Sequence, residues 1–221
     1  MKDFNIKKYA RRCLAIIPSI PVAALGVLLC VAAEWGSDPL TTFEVGLSNM
    51  FGVQLGTASL VFEGIIFFVF LVVRRDLTNF GTLAWCFLIG PSMNVISIWL
   101  NPLLPAAADM SAGFKLFLII TGSVLIILSL AYYIPIGLGY QASDILAFIA
   151  ADVIKKSYGI GLIVAYAILF ALGVAMGASW GLCTLLAVLG YGPIIDRLMP
   201  IFEPFSFKVA GMTAADKESK N

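Results

Sequence analysis

Six apolar runs, each close to the length a helix needs to cross a bilayer, constrain this chain more than any other feature. They lie near Leu14 to Ala33, Leu55 to Val73, Gly81 to Leu100, Lys115 to Ile136, Tyr158 to Met176 and Gly181 to Pro200. About 20 apolar residues of helix span the roughly 30 Å hydrocarbon core, and inside it every backbone N–H and C=O must be satisfied within the protein, which leaves helices as the form for such runs. With 61% hydrophobic and 12% charged residues and a mean hydropathy of +0.99, the expectation is an all-α membrane protein with six transmembrane helices. The first run follows a basic start and could pass for a signal peptide. Its length and the spans after it make it a retained helix.

Basic residues set the orientation. Lys2, Lys7, Lys8, Arg11 and Arg12 precede the first run, Arg74 and Arg75 separate the second from the third, and Lys155 and Lys156 the fourth from the fifth; Arg197, Lys208, Lys217 and Lys220 come at the end. The alternate connections hold almost none, so both termini are expected in the cytoplasm. The expected organisation is a cytoplasmic segment 1–12, a three-helix unit 13–101, a second three-helix unit 114–200 and a cytoplasmic tail 201–221, solvated from Glu203 onward.

The two units look like copies. "GTLAWCFLIGPSMNVI" from Gly81 and "GLCTLLAVLGYGPIIDRLM" from Gly181 each begin with Gly, meet a second Gly nine residues on, then a Pro, then a polar residue three past it: Asn94 in the first, Asp196 in the second. Upstream, Ser37 to Phe51 and Ser143 to Tyr158 are short segments opening on Ser-Asp pairs, good helix N-caps. Three spans per unit make the repeat inverted, an architecture that secondary transporters use with substrate held between the halves. The segment after Pro39 is too short to cross and is expected to lie at the interface or re-enter. As a re-entrant element it offers the N-terminal N–H groups behind Ser37 and Asp38 to a ligand; as an interfacial connector it turns Thr41, Glu44 and Ser48 toward headgroups.

Few residues carry chemistry. There is no His, so a proton step falls to carboxylates, Tyr or Lys. Glu63, midway along the second run, costs about 3 kcal/mol to place in hydrocarbon and must face the interior, either as a coupling or ligand-binding acid or as a protonated structural acid. Asp196, beside Arg197, is an interfacial anchor or a gate at a helix mouth. Asp144 reads as a cap, and Asp152 with Lys155 and Lys156 as a solvated face. Tyr132, Tyr133, Trp35, Trp99 and Trp180 read as interface anchors. Gly52, Gly56, Gly64, Gly173, Gly177 and Gly181 read as helix-packing positions. Cys13, Cys30, Cys86 and Cys183 show no CxxC pairing and read as free structural thiols. The near-neutral net charge gives no sign of a nucleic-acid partner, and no ATP, dinucleotide, metal-protease or serine-elbow motif occurs, so no cofactor or metal is expected.

The stretches "GSDPLTTFEVGLSNMFGVQLG", "NFGT" and "GYGPIIDRLM" resemble the YczE/YitT group of bacterial integral membrane proteins over Gly26 to Met199. Leu40 stands where that group commonly has an aromatic, and Asn94 where the first half has an acid. The resemblance implies a multi-pass protein of the bacterial cytoplasmic membrane with a suspected transport role. The expected function is a secondary transporter or permease for a small polar or anionic solute, with Glu63, Asn94, Asp196, Ser37, Asp38 and Asp144 as candidate substrate-binding or coupling residues. The alternatives are an accessory scaffold, alone or as an oligomer with itself or another membrane protein, and an intramembrane enzyme, for which one buried acid is thin support.

Overall fold

Regular helix is what an apolar chain needs to satisfy its own backbone, and the computed structural model, which describes residues 6–156 and 158–212, is helical nearly throughout. The order is α1 (Ile6–Ile16), α2 (Ser19–Ala32), α3 (Pro39–Phe51), α4 (Leu55–Val73), α5 (Phe80–Leu100), α6 (Ala112–Tyr133), α7 (Ala142–Ile154), α8 (Tyr158–Ala175), α9 (Leu182–Leu186), a π-helical stretch Ala187–Tyr191, and α10 (Gly192–Ala210). Among the described residues, five units are long and apolar enough to cross a membrane: Ile6–Ala32, Leu55–Val73, Phe80–Leu103, Ala112–Ile136 and Leu182–Ala210. The run expected from Tyr158 to Met176 is α8, whose 18 residues extend about 27 Å at 1.5 Å per residue.

The centre is an antiparallel pair, α2 against α6. Gly26 and Gly122 let the backbones meet, so that a methyl group on either would strike the other's carbonyl oxygen. Ser129 Oγ donates to the Ser19 carbonyl at 2.7 Å and fixes the register. α5 and α10 flank this pair, α4 packs on α5, α8 packs on α3 and α7, and α1 lies against α10. Small residues form these seams too: Gly46 meets Gly173 between α3 and α8, Gly161 meets Ala147 between α8 and α7, and Gly56 meets Gly90 between α4 and α5. Gly52 and Gly177 serve differently, as left-handed turn residues with open space around them, and Gly64 only touches the Phe87 ring.

One junction recurs at the two ends of the bundle. At the end where α5 begins, Gly81 N–H donates to the Leu138 carbonyl, four residues before α7, and Gly139 (φ +111°) leaves no room for a side chain against Thr82. At the other end Cys183 N–H donates to the Trp35 carbonyl, four residues before α3, and Gly36 (φ +88°) meets Thr184 in the same manner. Only Gly adopts such φ values without strain.

Several expectations need correction. α7 starts at Ala142 with Gln141 as its cap residue, and no side chain caps it; Ser143 and Asp144 therefore lie within its first turn, because the helix begins before the Ser-Asp pair. It ends at Ile154 with Lys155 left-handed, short of Tyr158. The tail expected from residue 201 is helical to Ala210, its last turns held by Arg11, which donates to the carbonyls of Lys208 and Val209 (both 2.9 Å). Segment 1–12 likewise contributes helix from Ile6. Tyr133 is buried, its hydroxyl donating to the Gly139 carbonyl at 2.8 Å and its ring 5.2 Å from that of Trp85, whereas Trp99 and Trp180 are exposed near helix ends. Asp152 pairs with Arg74 at 2.6 Å. All four cysteines are free and buried.

Candidate functional site

A cavity of about 410 Å³ opens where the two halves of the chain meet. Ala23, Val27, Trp85, Ile89 and Met93 of α2 and α5 line it together with Ile126, Leu130, Leu162 and Tyr166 of α6 and α8. The polar groups come from the short helices and from two long ones. α3 presents Asp38, Thr41 and Glu44, α4 presents Glu63, the start of α7 presents Gln141 and Ser143, and the α9–α10 unit presents Tyr191 and Asp196. Both short helices thus begin at the cavity wall.

Local chemistry explains the α3 contribution. Asp38 is extended and its Oδ1 accepts from the N–H groups of Leu40 and Thr41, each at 3.1 Å, with Pro39 at the first helical position and Gly52 (φ +62°) closing the helix. This start and stop rigidly place the helix between them, and Thr41 and Glu44, three residues apart, share a face. Glu44 is 3% exposed and accepts from Ser59 Oγ of α4 at 3.0 Å. Glu63, one turn beyond Ser59 on α4 and 6% exposed, lines the same cavity as Glu44, and the two acids act on one another electrostatically. The result is a pair of buried carboxyls from two helices, with Asp38 close enough to act on both electrostatically.

Of the residues singled out in the sequence, Asp38, Glu63 and Asp196 reach the cavity. Asp196 is exposed and sits near the middle of the Leu182–Ala210 unit, not at a helix mouth, because the helix runs on to Ala210. Ser37 is buried beneath the turn, its hydroxyl 3.2 Å from that of Thr42. Asn94 is away from the cavity; its Nδ2 donates to Thr57 Oγ1 at 2.9 Å and ties α5 to α4. The side chain of Asp144 lies outside the described residues. The interfacial reading of α3 turns Glu44 toward headgroups, whereas it is buried at the cavity; Trp85 and Tyr191 carry no mark in the sequence that singles them out. The signal for Glu44 was its phase: it is two steps of three residues from Asp38, on the side that carries Thr41.

Trp85 is 6% exposed, yet its indole N–H has no hydrogen-bond partner. Tyr191, by contrast, shares a 2.8 Å hydrogen bond with Ser123 across α10 and α6. No Lys or Arg is among the described residues lining the cavity.

Long apolar helices around a cavity that holds buried carboxyls are the arrangement of a multi-pass membrane protein. The chain belongs to DUF6198, a family of unknown function whose model matches residues 10–200. It is similar to the uncharacterized protein YyaS of Bacillus subtilis (strain 168), 26% identical over 195 residues that cover 83% of this chain and 90% of that protein. No solved structure matches it.

Proposed function

We propose that the protein is a small secondary transporter of the cytoplasmic membrane, with the solute held in the central cavity and the Glu44–Glu63 pair coupling its movement to protons. The observation that carries this reading is the pair itself: two buried carboxyls, from different helices, in a cavity between the halves. A scaffold has no use for a polar cavity in its middle, and keeping uncompensated charge there costs several kcal/mol. We count α8 as a sixth span and read the two units as inverted repeats with both termini cytoplasmic. The junction made twice, at Gly81 with Leu138 and at Cys183 with Trp35, supports that symmetry, as does a cavity entered by both short helices. The likeness to the YczE/YitT group fits the same reading.

The test uses proteoliposomes with a trapped pH-sensitive dye and an acidic interior, to which small polar solutes of each charge class are added outside. Wild-type protein should give solute-dependent proton efflux, and Glu63→Gln should insert normally and give none. Equal responses from the two proteins would remove the coupling role. A wild-type response no greater than that of protein-free liposomes for every solute would favour the scaffold.

A further inference from the structure

We propose that the cavity's ligand is a small organic cation, held among the Glu44–Glu63 carboxyls and aromatic lining residues that include Trp85, and that its entry displaces a proton from the pair. This deepens the transporter reading and rests on its solute site, though not on flux.

Charge comes first. The described lining holds four carboxyl groups, those of Asp38, Glu44, Glu63 and Asp196, and no base. Asp38 is committed to the start of α3 and Asp196 lies exposed, so the deep acids are Glu44 and Glu63. No cationic side chain on this wall can neutralise them, and an anionic ligand would find no partner. Either a proton or a cation must balance any negative charge there.

Trp85 supplies an independent observation. Its ring lines the cavity and is 6% exposed. The same ring, together with Tyr166 and Tyr191 of the lining, offers aromatic groups of the kind that attract ammonium ions. Size then separates an organic cation from a bare ion. About 410 Å³ falls within the range typical of small-molecule sites, and among the described residues no three acidic or thiol groups converge to hold a metal.

The step balances simply. With the site empty of ligand, the pair holds its proton; on binding, one carboxyl O–H bond breaks, the proton passes to water, and the carboxylate left behind pairs with the incoming cation. The charge of the site is unchanged, so cation entry and proton exit are linked without any other reactant.

The experiment uses purified full-length protein in weakly buffered detergent solution. Choline, ethanolamine and tetramethylammonium are each titrated beside 3,3-dimethylbutan-1-ol, the uncharged isostere of choline, and beside acetate, with melting temperature and a pH-sensitive dye as readouts. At least one cation should raise the melting temperature saturably and release protons, while the isostere and acetate do neither. Glu63→Gln and Glu44→Gln should weaken the cation's binding by about tenfold or more, the loss expected when a buried charge partner is removed, and abolish proton release. Stabilisation by the isostere or acetate equal to that by the cations, or none from any cation, overturns the proposal from wild-type protein alone, whether or not the variants fold. Cation binding without flux in liposomes would instead overturn the transporter reading and leave this one standing.

Discussion

α5 and the α9–α10 unit carry the same Gly–Gly–Pro–polar pattern and use it oppositely. In α5 the second glycine, Gly90, lies against the backbone of Gly56, and the polar residue, Asn94, is tied to Thr57, so α4 and α5 are zipped together. In the second unit Gly190 has only the tip of Ile194 near it, at 3.9 Å, and α8 does not pack comparably on α10. Between Gly190 and the proline stand Tyr191 and Gly192, and the π-helical stretch Ala187–Tyr191 takes in the first of them. Widened turns of this kind commonly mark functional sites. Here the turn brings Tyr191 to Ser123 and Asp196 to the cavity. One copy of the pattern makes a fixed wall; the other makes a wall with space behind it.

The largest expected effect tests that contrast directly. Gly90→Val should drive a side chain into the Gly56 carbonyl and cost about 3 kcal/mol or more, lowering the yield of folded protein, while Gly190→Ala should be neutral or stabilising by up to about 1 kcal/mol. Similar losses in size-exclusion and melting assays for both would end the distinction.

A smaller difference is expected at the matched polar residues. Asn94→Ala removes the bond to Thr57 and should lower stability by about 1 kcal/mol while keeping the half-saturating solute concentration in the liposome assay. Asp196→Asn should do the reverse, sparing the melting temperature and shifting that concentration. An exchange of the two outcomes would place the site at the Asn94–Thr57 seam instead of the cavity.

The smallest effect concerns the link from the end of α4 to α7. Arg74 donates to Asp76 and Asp152, and its guanidinium, through hydrogen bonding first, holds the Asp76 carboxyl below its ordinary value. A depressed acid stabilises the fold above its unfolded pKa of about 4, and that contribution is lost as pH falls through the lower folded value. Melting temperatures taken from about pH 6 to about pH 3 should fall slightly more steeply for wild type than for Arg74→Gln, and the gap should close in high salt. Parallel curves at low salt would show that the pair contributes nothing.

The long spans were legible because hydrocarbon enforces composition over 20 residues at a time, and α3 was legible because Ser37, Asp38, Pro39 and Gly52 are local start and stop signals. α7 was misplaced because its first turn has no capping side chain, so the Ser-Asp pair pointed to the wrong residue. Glu63 stood out as an acid within an apolar run. Glu44 did not, since what buries it is tertiary: Ser59 and Glu63 belong to another helix, and nothing in a 13-residue amphipathic segment says whether it faces headgroups or neighbours. Trp85 was illegible for the same reason, its missing partner being visible only once the surrounding helices are in place.

The contact of Arg11 with the carbonyls of Lys208 and Val209 joins residues 197 and 198 positions apart. Made during synthesis, it cannot close until the final helix has left the ribosome, so the earliest basic residues are delivered to the membrane long before their acceptors exist. Arg12 has a nearer acceptor, the Ile136 carbonyl at 2.8 Å, and becomes anchored when α6 is inserted. The two adjacent arginines therefore mark two moments in the life of the nascent chain: one registers that the second half has begun, the other that it is complete.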